Sequence, residues 1–124
     1  MKTLSRLQLA VSSFVGYDED AKSEFEKAAK AFMRELKKAL GVDADLRYNA
    51  GGVAVSGEVT LHGDNIYCQI SAFDEGTLGL LVRGCRGRKD YSGTQNRWVR
   101  LEMMEREAEA GFPTFKAAMA DAAR

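Results

Sequence analysis

This chain has one proline, one histidine, two cysteines and no net charge, and each scarcity excludes something. His62, Cys68 and Cys85 are too few and too widely spaced to supply the soft ligands of a structural zinc site. With no second histidine, a Ser or Cys nucleophile would depend on His62 as its base. His62 stands beside the turn signal Gly63-Asp64-Asn65 and reads as a solvated turn residue. Gly87 is followed by Arg88 and Lys89, but the glycine spacing is wrong for a phosphate-binding P-loop. No catalytic residue, metal or cofactor is expected, and the chain reads as non-enzymatic.

Long apolar runs are missing as well. The longest early segment, Leu7 to Val15, is broken by Gln8, Ser12 and Ser13, far short of the ~20 apolar residues that span a membrane. No apolar leader core precedes a small-residue cleavage site. A cytoplasmic location without a membrane partner is expected. Thiols stay reduced there, and both cysteines lie in apolar strand-like runs, so each reads as a small core hydrophobe.

The 124 residues are 45% hydrophobic and 29% charged, a balance that suits one globular domain over residues 1–124. Leu4, Leu7, Val11 and Phe14 recur at helical spacing, although Leu7, Leu9 and Val11 would also suit a strand. A second helix over about 18–40 is better marked. Its stripe runs Ala21, Phe25, Ala28, Ala29, Phe32, Met33, Leu36, Leu40, with acids at its start, Lys37 and Lys38 at its end and Gly41 just beyond. Asp18 or Asp20 is the expected N-cap.

From Ala44 the period becomes two. Leu46 and Tyr48, then Val53 to Leu61, then Ile66 to Ala72, then Leu78 to Val82 read as four strands in meander order, joined at Gly63-Asp64-Asn65 and at Asp74-Glu75-Gly76. Trp98, Leu101, Met104 and Ala108 mark a third helix ended by Gly111 and capped by Thr94 or Asn96, although Val99, Leu101 and Met103 also alternate and would extend the sheet. Pro113 opens a short fourth helix. The predicted fold is α+β, a four-stranded antiparallel sheet packed by helices in the order ααββββαα.

Charge is segregated along the chain. Residues 1–50 carry plus one, 51–82 minus four, 83–100 plus five and the remainder minus two. The basic segment contains Arg83, Arg86, Arg88, Lys89, Tyr91, Arg97 and Trp98, punctuated by glycines, and these seven residues are the candidate binding site. Arginine forks and a lysine would take phosphate, carboxylate or an acidic protein surface, and Tyr91 offers a stacking face. The plainer alternative is a solvated loop whose arginines pair with Glu58, Asp74 or the third helix. Glu102, Glu105 and Glu109, at i, i+3 and i+7, would form an acidic docking face on that helix.

The compact size, the α+β order, the missing catalytic motifs and the Arg86-to-Trp98 stretch resemble small accessory proteins of bacteriophages and prophages, among them the anti-CRISPR inhibitors of host-defence nucleases. The resemblance rests on general character and carries no functional residue across. It implies docking on a protein or nucleoprotein complex, either by gripping it through the arginine loop or by acidic residues that occupy its nucleic-acid channel. Alternatives are direct nucleic-acid binding through the basic loop with Tyr91 and Trp98, sequestration of a small phosphorylated ligand, and association of the chain with a second copy. Zero net charge weighs against the nucleic-acid alternative, since affinity for nucleic acid comes largely from phosphate neutralisation.

Overall fold

A computed structural model describes residues 1–14, 18–50, 57–71, 79–89 and 95–122. Within them the order is α1 (Lys2–Ser12), α2 (Glu19–Leu40), β1 (Ala44–Asn49), β2 (Glu58–Gly63), β3 (Ile66–Ser71), β4 (Gly79–Gly84), β5 (Arg97–Arg100), α3 (Leu101–Glu107) and α4 (Pro113–Ala122). The α+β class, the antiparallel meander and the flanking helix pairs are as expected. The sheet, however, has five strands in the order β1-β2-β3-β4-β5.

The fifth strand comes from residues whose spacing suits both a helix start and an added strand. Leu80 faces Val99 and Leu81 faces Trp98 in an antiparallel register, so residues 97–100 satisfy the outer edge of β4. The sequence Arg-Trp-Val-Arg also suits a pleated edge better than a helix start, having neither a capping residue nor an alanine. The third helix therefore begins at Leu101. Arg100 stands at its N-cap position and makes no side-chain capping bond, so the cap expected of Asn96 is not formed, and Thr94 lies outside the described residues.

Helix α2 follows its sequence signals closely. Asp18 Oδ1 accepts hydrogen bonds from the backbone N–H groups of Asp20 (2.9 Å) and Ala21 (3.4 Å), and Gly41 closes the helix at φ 67°. Its stripe of Phe25, Ala28, Ala29, Phe32, Met33 and Leu36 is completely buried. Helix α1 has no cap of this kind and owes its place to packing. Leu4, Leu7, Ala10 and Val11 are buried whereas Leu9 is 67% exposed, which settles its ambiguous periodicity in favour of a helix.

All four helices belong to one layer. Helix α2 packs on β1 and β2, α4 on β4 and β5, α1 on α2, and α3 on α1, α4 and β5. The strands supply Val59, Leu61, Ile66, Cys68, Ile70, Leu80, Val82 and Val99 to a single core. Cys68 is buried there as expected, whereas Cys85 lies just past β4, is only half-buried and donates its thiol to the Gly63 carbonyl at 3.5 Å. Val53, Val55, Ala72, Leu78 and the predicted turn at 74–76 lie outside the described residues.

Backbone conformation matters most at two sites. Gly57 leads into β2 with φ 75°, and a Cβ there would stand 2.5 Å from the carbonyl oxygen of Asn49. Phe112 adopts φ 61° although it is not a glycine, and it holds a buried ring between α3 and α4. Glu107 reinforces this corner by accepting from the Thr114 backbone N–H (2.7 Å) and hydroxyl (2.6 Å).

Asp18→Ala is expected to cost about 1 kcal/mol through loss of the cap. Gly57→Ala is expected to cost about 1–3 kcal/mol through backbone strain, before any clash with Asn49 is counted. Urea midpoints of the two variants against the parent check both values.

Candidate functional site: the helix-free face of the sheet

Strand alternation sends every second residue away from the helices. On that face β1 presents Asp45, Arg47 and Asn49, β2 Glu58, Thr60 and His62, β3 Tyr67, Gln69 and Ser71, β4 Leu81 and Arg83, and β5 Trp98 and Arg100. No helix among the described residues covers it. Its middle is nevertheless closely packed, with Thr60 and His62 each 6% exposed and Tyr67 5%.

These central side chains engage one another. Thr60 Oγ1 and His62 Nε2 are hydrogen-bonded at 2.8 Å, the imidazole meets Tyr67 edge-on with ring centroids 5.2 Å apart, and the Tyr67 hydroxyl donates to Gln69 Oε1 at 2.6 Å. The Arg83 guanidinium lies over the Tyr67 ring, 4.5 Å from its centroid, so the charge is held by the π face. Its buried Nε has no hydrogen-bond partner among the described residues.

This corrects the expectation for His62. It lies in β2, paired with Asp45 and Tyr67 across the sheet, and is buried, so it is not a solvated turn residue. The turn begins after Gly63, and the fold covers an imidazole that local turn chemistry would expose. Burial, aided by the positive charge of Arg47 and opposed by Asp45, lowers the His62 pKa from its ordinary value, so the ring is neutral at pH 7.

The predicted basic loop separates into residues with different roles. Arg88 is bound internally: Nη2 meets Asp43 Oδ2 at 2.8 Å, Nη1 meets Asp45 Oδ1 at 3.1 Å, Nε meets Asp64 Oδ1 at 3.0 Å, and Nη2 also donates to the Asp43 carbonyl at 3.3 Å. One guanidinium thus joins the start of β1 to the β2–β3 turn, and its bonds to Asp43 and Asp64 raise its pKa further. Pairing within the molecule was foreseen for these arginines, but the carboxylates are not those of Glu58 or α3. Arg83 sits on β4 and not in the loop. Arg86 and Lys89 are exposed, and Tyr91 lies outside the described residues.

On β5, Trp98 is 44% exposed and shares its face with Arg100. Arg97 points the other way and donates to the Gln95 carbonyl at 3.4 Å. The three glutamates do not form one helical face, because α3 ends at Glu107 and leaves Glu109 in the following turn. Glu105 accepts from Gln8 Nε2 at 3.1 Å, and Glu102 lies 3.6 Å from Arg100 Nε. The seven residues from Leu101 to Glu107 make two turns only, because Gly111 and Phe112 reverse the chain into α4.

At the β1–β2 end of the face lies a concavity of about 230 Å³, with Arg47, Asn49, Glu58, Thr60, His62 and Tyr67 around it. Sequence reasoning missed Arg47, Thr60 and Tyr67. The period-two pattern placed Thr60 and Tyr67 opposite the apolar positions, which was the available signal. Burial pushes the Cys68 thiol up to about 12, so it holds its proton at neutral pH. No family model, no curated protein and no solved structure matches the chain.

Because the folded His62 has a depressed pKa, its contribution to stability is complete above the ordinary imidazole value of about 6.5 and is lost as the pH falls from there through the folded value. The unfolding midpoint is expected to fall between about pH 7 and 5.5, above the range in which carboxylates titrate. His62→Gln should flatten that slope, which thermal melts at several pH values will check. Arg88→Ala should lower the midpoint by freeing three aspartates near one another, while Arg86→Ala should leave it unchanged.

Proposed function

We propose that this chain is a non-enzymatic binding protein that docks on an acidic surface of another protein or of a nucleoprotein complex. The observation that carries this reading is Trp98, a large indole left exposed on a short edge strand at the margin of a sheet face without a helix. Tryptophan and arginine are the residues that most often anchor protein interfaces. Arg100 shares the face of Trp98, Arg83 lies on the neighbouring strand, and Arg86 and Lys89 extend the positive charge beyond the end of β4.

Arg88 is excluded from this surface by its three aspartates, which also weakens the alternative of a three-cation grip on a small phosphorylated ligand. The acidic alternative loses support too, since Glu105 and Glu102 face Gln8 and Arg100 and Glu109 has left the helix. A second reading, direct binding of unpaired nucleic acid, draws on the same indole as a stacking platform.

Fluorescence anisotropy with labelled single-stranded DNA, duplex DNA and a polyglutamate peptide at about 50 and 200 mM salt tests both readings, since contacts to a polyanion weaken with salt. The docking reading expects binding to polyglutamate that falls with salt and weakens about tenfold or more in both Trp98→Ala and Arg100→Glu. Preference for single-stranded DNA, lost in Trp98→Ala, would support the second reading. Binding to none of the probes, or equal binding by both variants, overturns the assignment of this surface.

A further inference from the structure

We propose that the concavity at the β1–β2 end of the helix-free face is a binding site for a small zwitterion of the α-amino-acid class. The inference is independent of the docking role of Trp98, which lies at the opposite margin of the sheet.

Its volume, about 230 Å³, is below the roughly 300–1,000 Å³ of sites for drug-sized ligands and suits a smaller molecule. The floor is polar and neutral. Thr60 and His62 are both buried and bonded to each other, and desolvation keeps the imidazole uncharged. The Tyr67 hydroxyl is committed to Gln69, so this side chain offers the site a ring and not a donor.

Two opposite charges flank that floor. Arg47 pairs with Thr60 and Asn49 with Glu58 in the β1–β2 register, which makes Arg47 and Glu58 diagonal neighbours on one face, about 7–8 Å apart. They form no ion pair with each other. The half-buried Glu58 carboxylate has no ion-pair or hydrogen-bond partner among the described residues. Among the described residues the Arg47 guanidinium makes one loose ion pair, with Asp45 at 3.7 Å, too long for a hydrogen bond. Glu58 is thus unpaired among the described residues, and the loose Arg47–Asp45 pair leaves the guanidinium's hydrogen-bond donors for an incoming group.

The sign pattern selects the ligand. A simple anion would meet Arg47 but place its charge beside Glu58, and a simple cation would suffer the reverse. A molecule with one charge of each sign satisfies both, its carboxylate on the guanidinium fork and its ammonium on Glu58.

The test uses the complete chain and a panel of free amino acids at about 10 mM, read by thermal shift and by the amide cross-peaks of Thr60 and His62. A ligand of about 1 mM Kd would raise the folding equilibrium constant about tenfold at that concentration. At least one free amino acid should raise the midpoint and move both cross-peaks, while its N-acetyl derivative and its amide, each lacking one charge, should do neither. Glu58→Gln and Arg47→Met should each weaken binding about tenfold, read against each variant's own ligand-free midpoint. The proposal is overturned if no free amino acid shifts the midpoint or the cross-peaks, if a derivative binds equally well, or if both variants bind like the parent. Trp98→Ala should bind the amino acid normally, which separates failure here from failure of the docking surface.

Discussion

Burial of the α2 stripe against β1 and β2 is the constraint on which the other features depend. Phe25, Phe32, Met33 and Leu36 are large, fully buried and on one helix face, so the strands beneath must turn their apolar positions toward them. Burying a side chain of this kind is worth about 1.5–3 kcal/mol, far more than any surface ion pair in the molecule. Once Val59, Leu61, Ile66, Cys68 and Ile70 face the helices, alternation leaves Thr60, His62, Tyr67 and Gln69 on the other side. With α4 continuing the same layer over β4 and β5, all four helices are used on one face.

That single-sided layering explains why the polar residues are concentrated on the uncovered face. Thr60, His62, Tyr67, Gln69 and Arg83 lie on three adjacent central strands, close enough to meet through hydrogen bonds, ring edges and a cation over a ring, although the buried Arg83 Nε makes no hydrogen bond among the described residues. Buried polar groups are tolerated where they are mutually paired. At the margins this pairing ends: Trp98 is left exposed on β5, while Arg47 and Glu58 stand unpaired with each other across β1 and β2.

Charge follows a related rule. The segment holding six cations is basic as sequence, yet its most engaged member, Arg88, acts as a brace between three aspartates from β1 and its approach and from the β2–β3 turn. Arg83 is held over the Tyr67 ring and Arg100 stands 3.6 Å from Glu102, which leaves Arg86 and Lys89, beyond β4, as its exposed cations among the described residues. A basic stretch of sequence is thus only partly a basic surface.

The sequence by itself determined helix α2 with its glycine C-cap and an aspartate N-cap at 18 or 20, a tight turn around Asp64 and Asn65, the antiparallel α+β class, and the place of Cys68 in the core. These rest on interactions between residues close in the chain, or on a periodicity that one buried face imposes. Tertiary structure alone decided the rest. Residues 97–100 became a strand because β4 offered an open edge, a partner absent from any local pattern. His62 became buried because Tyr67 from the next strand and the surrounding sheet enclose it. Arg88 was committed to Asp43, Asp45 and Asp64, residues 24 to 45 positions away, and no spacing rule identifies such partners. Arg47 and Glu58 came to flank one hollow because a register, set by burial on the opposite face, brought two strands side by side.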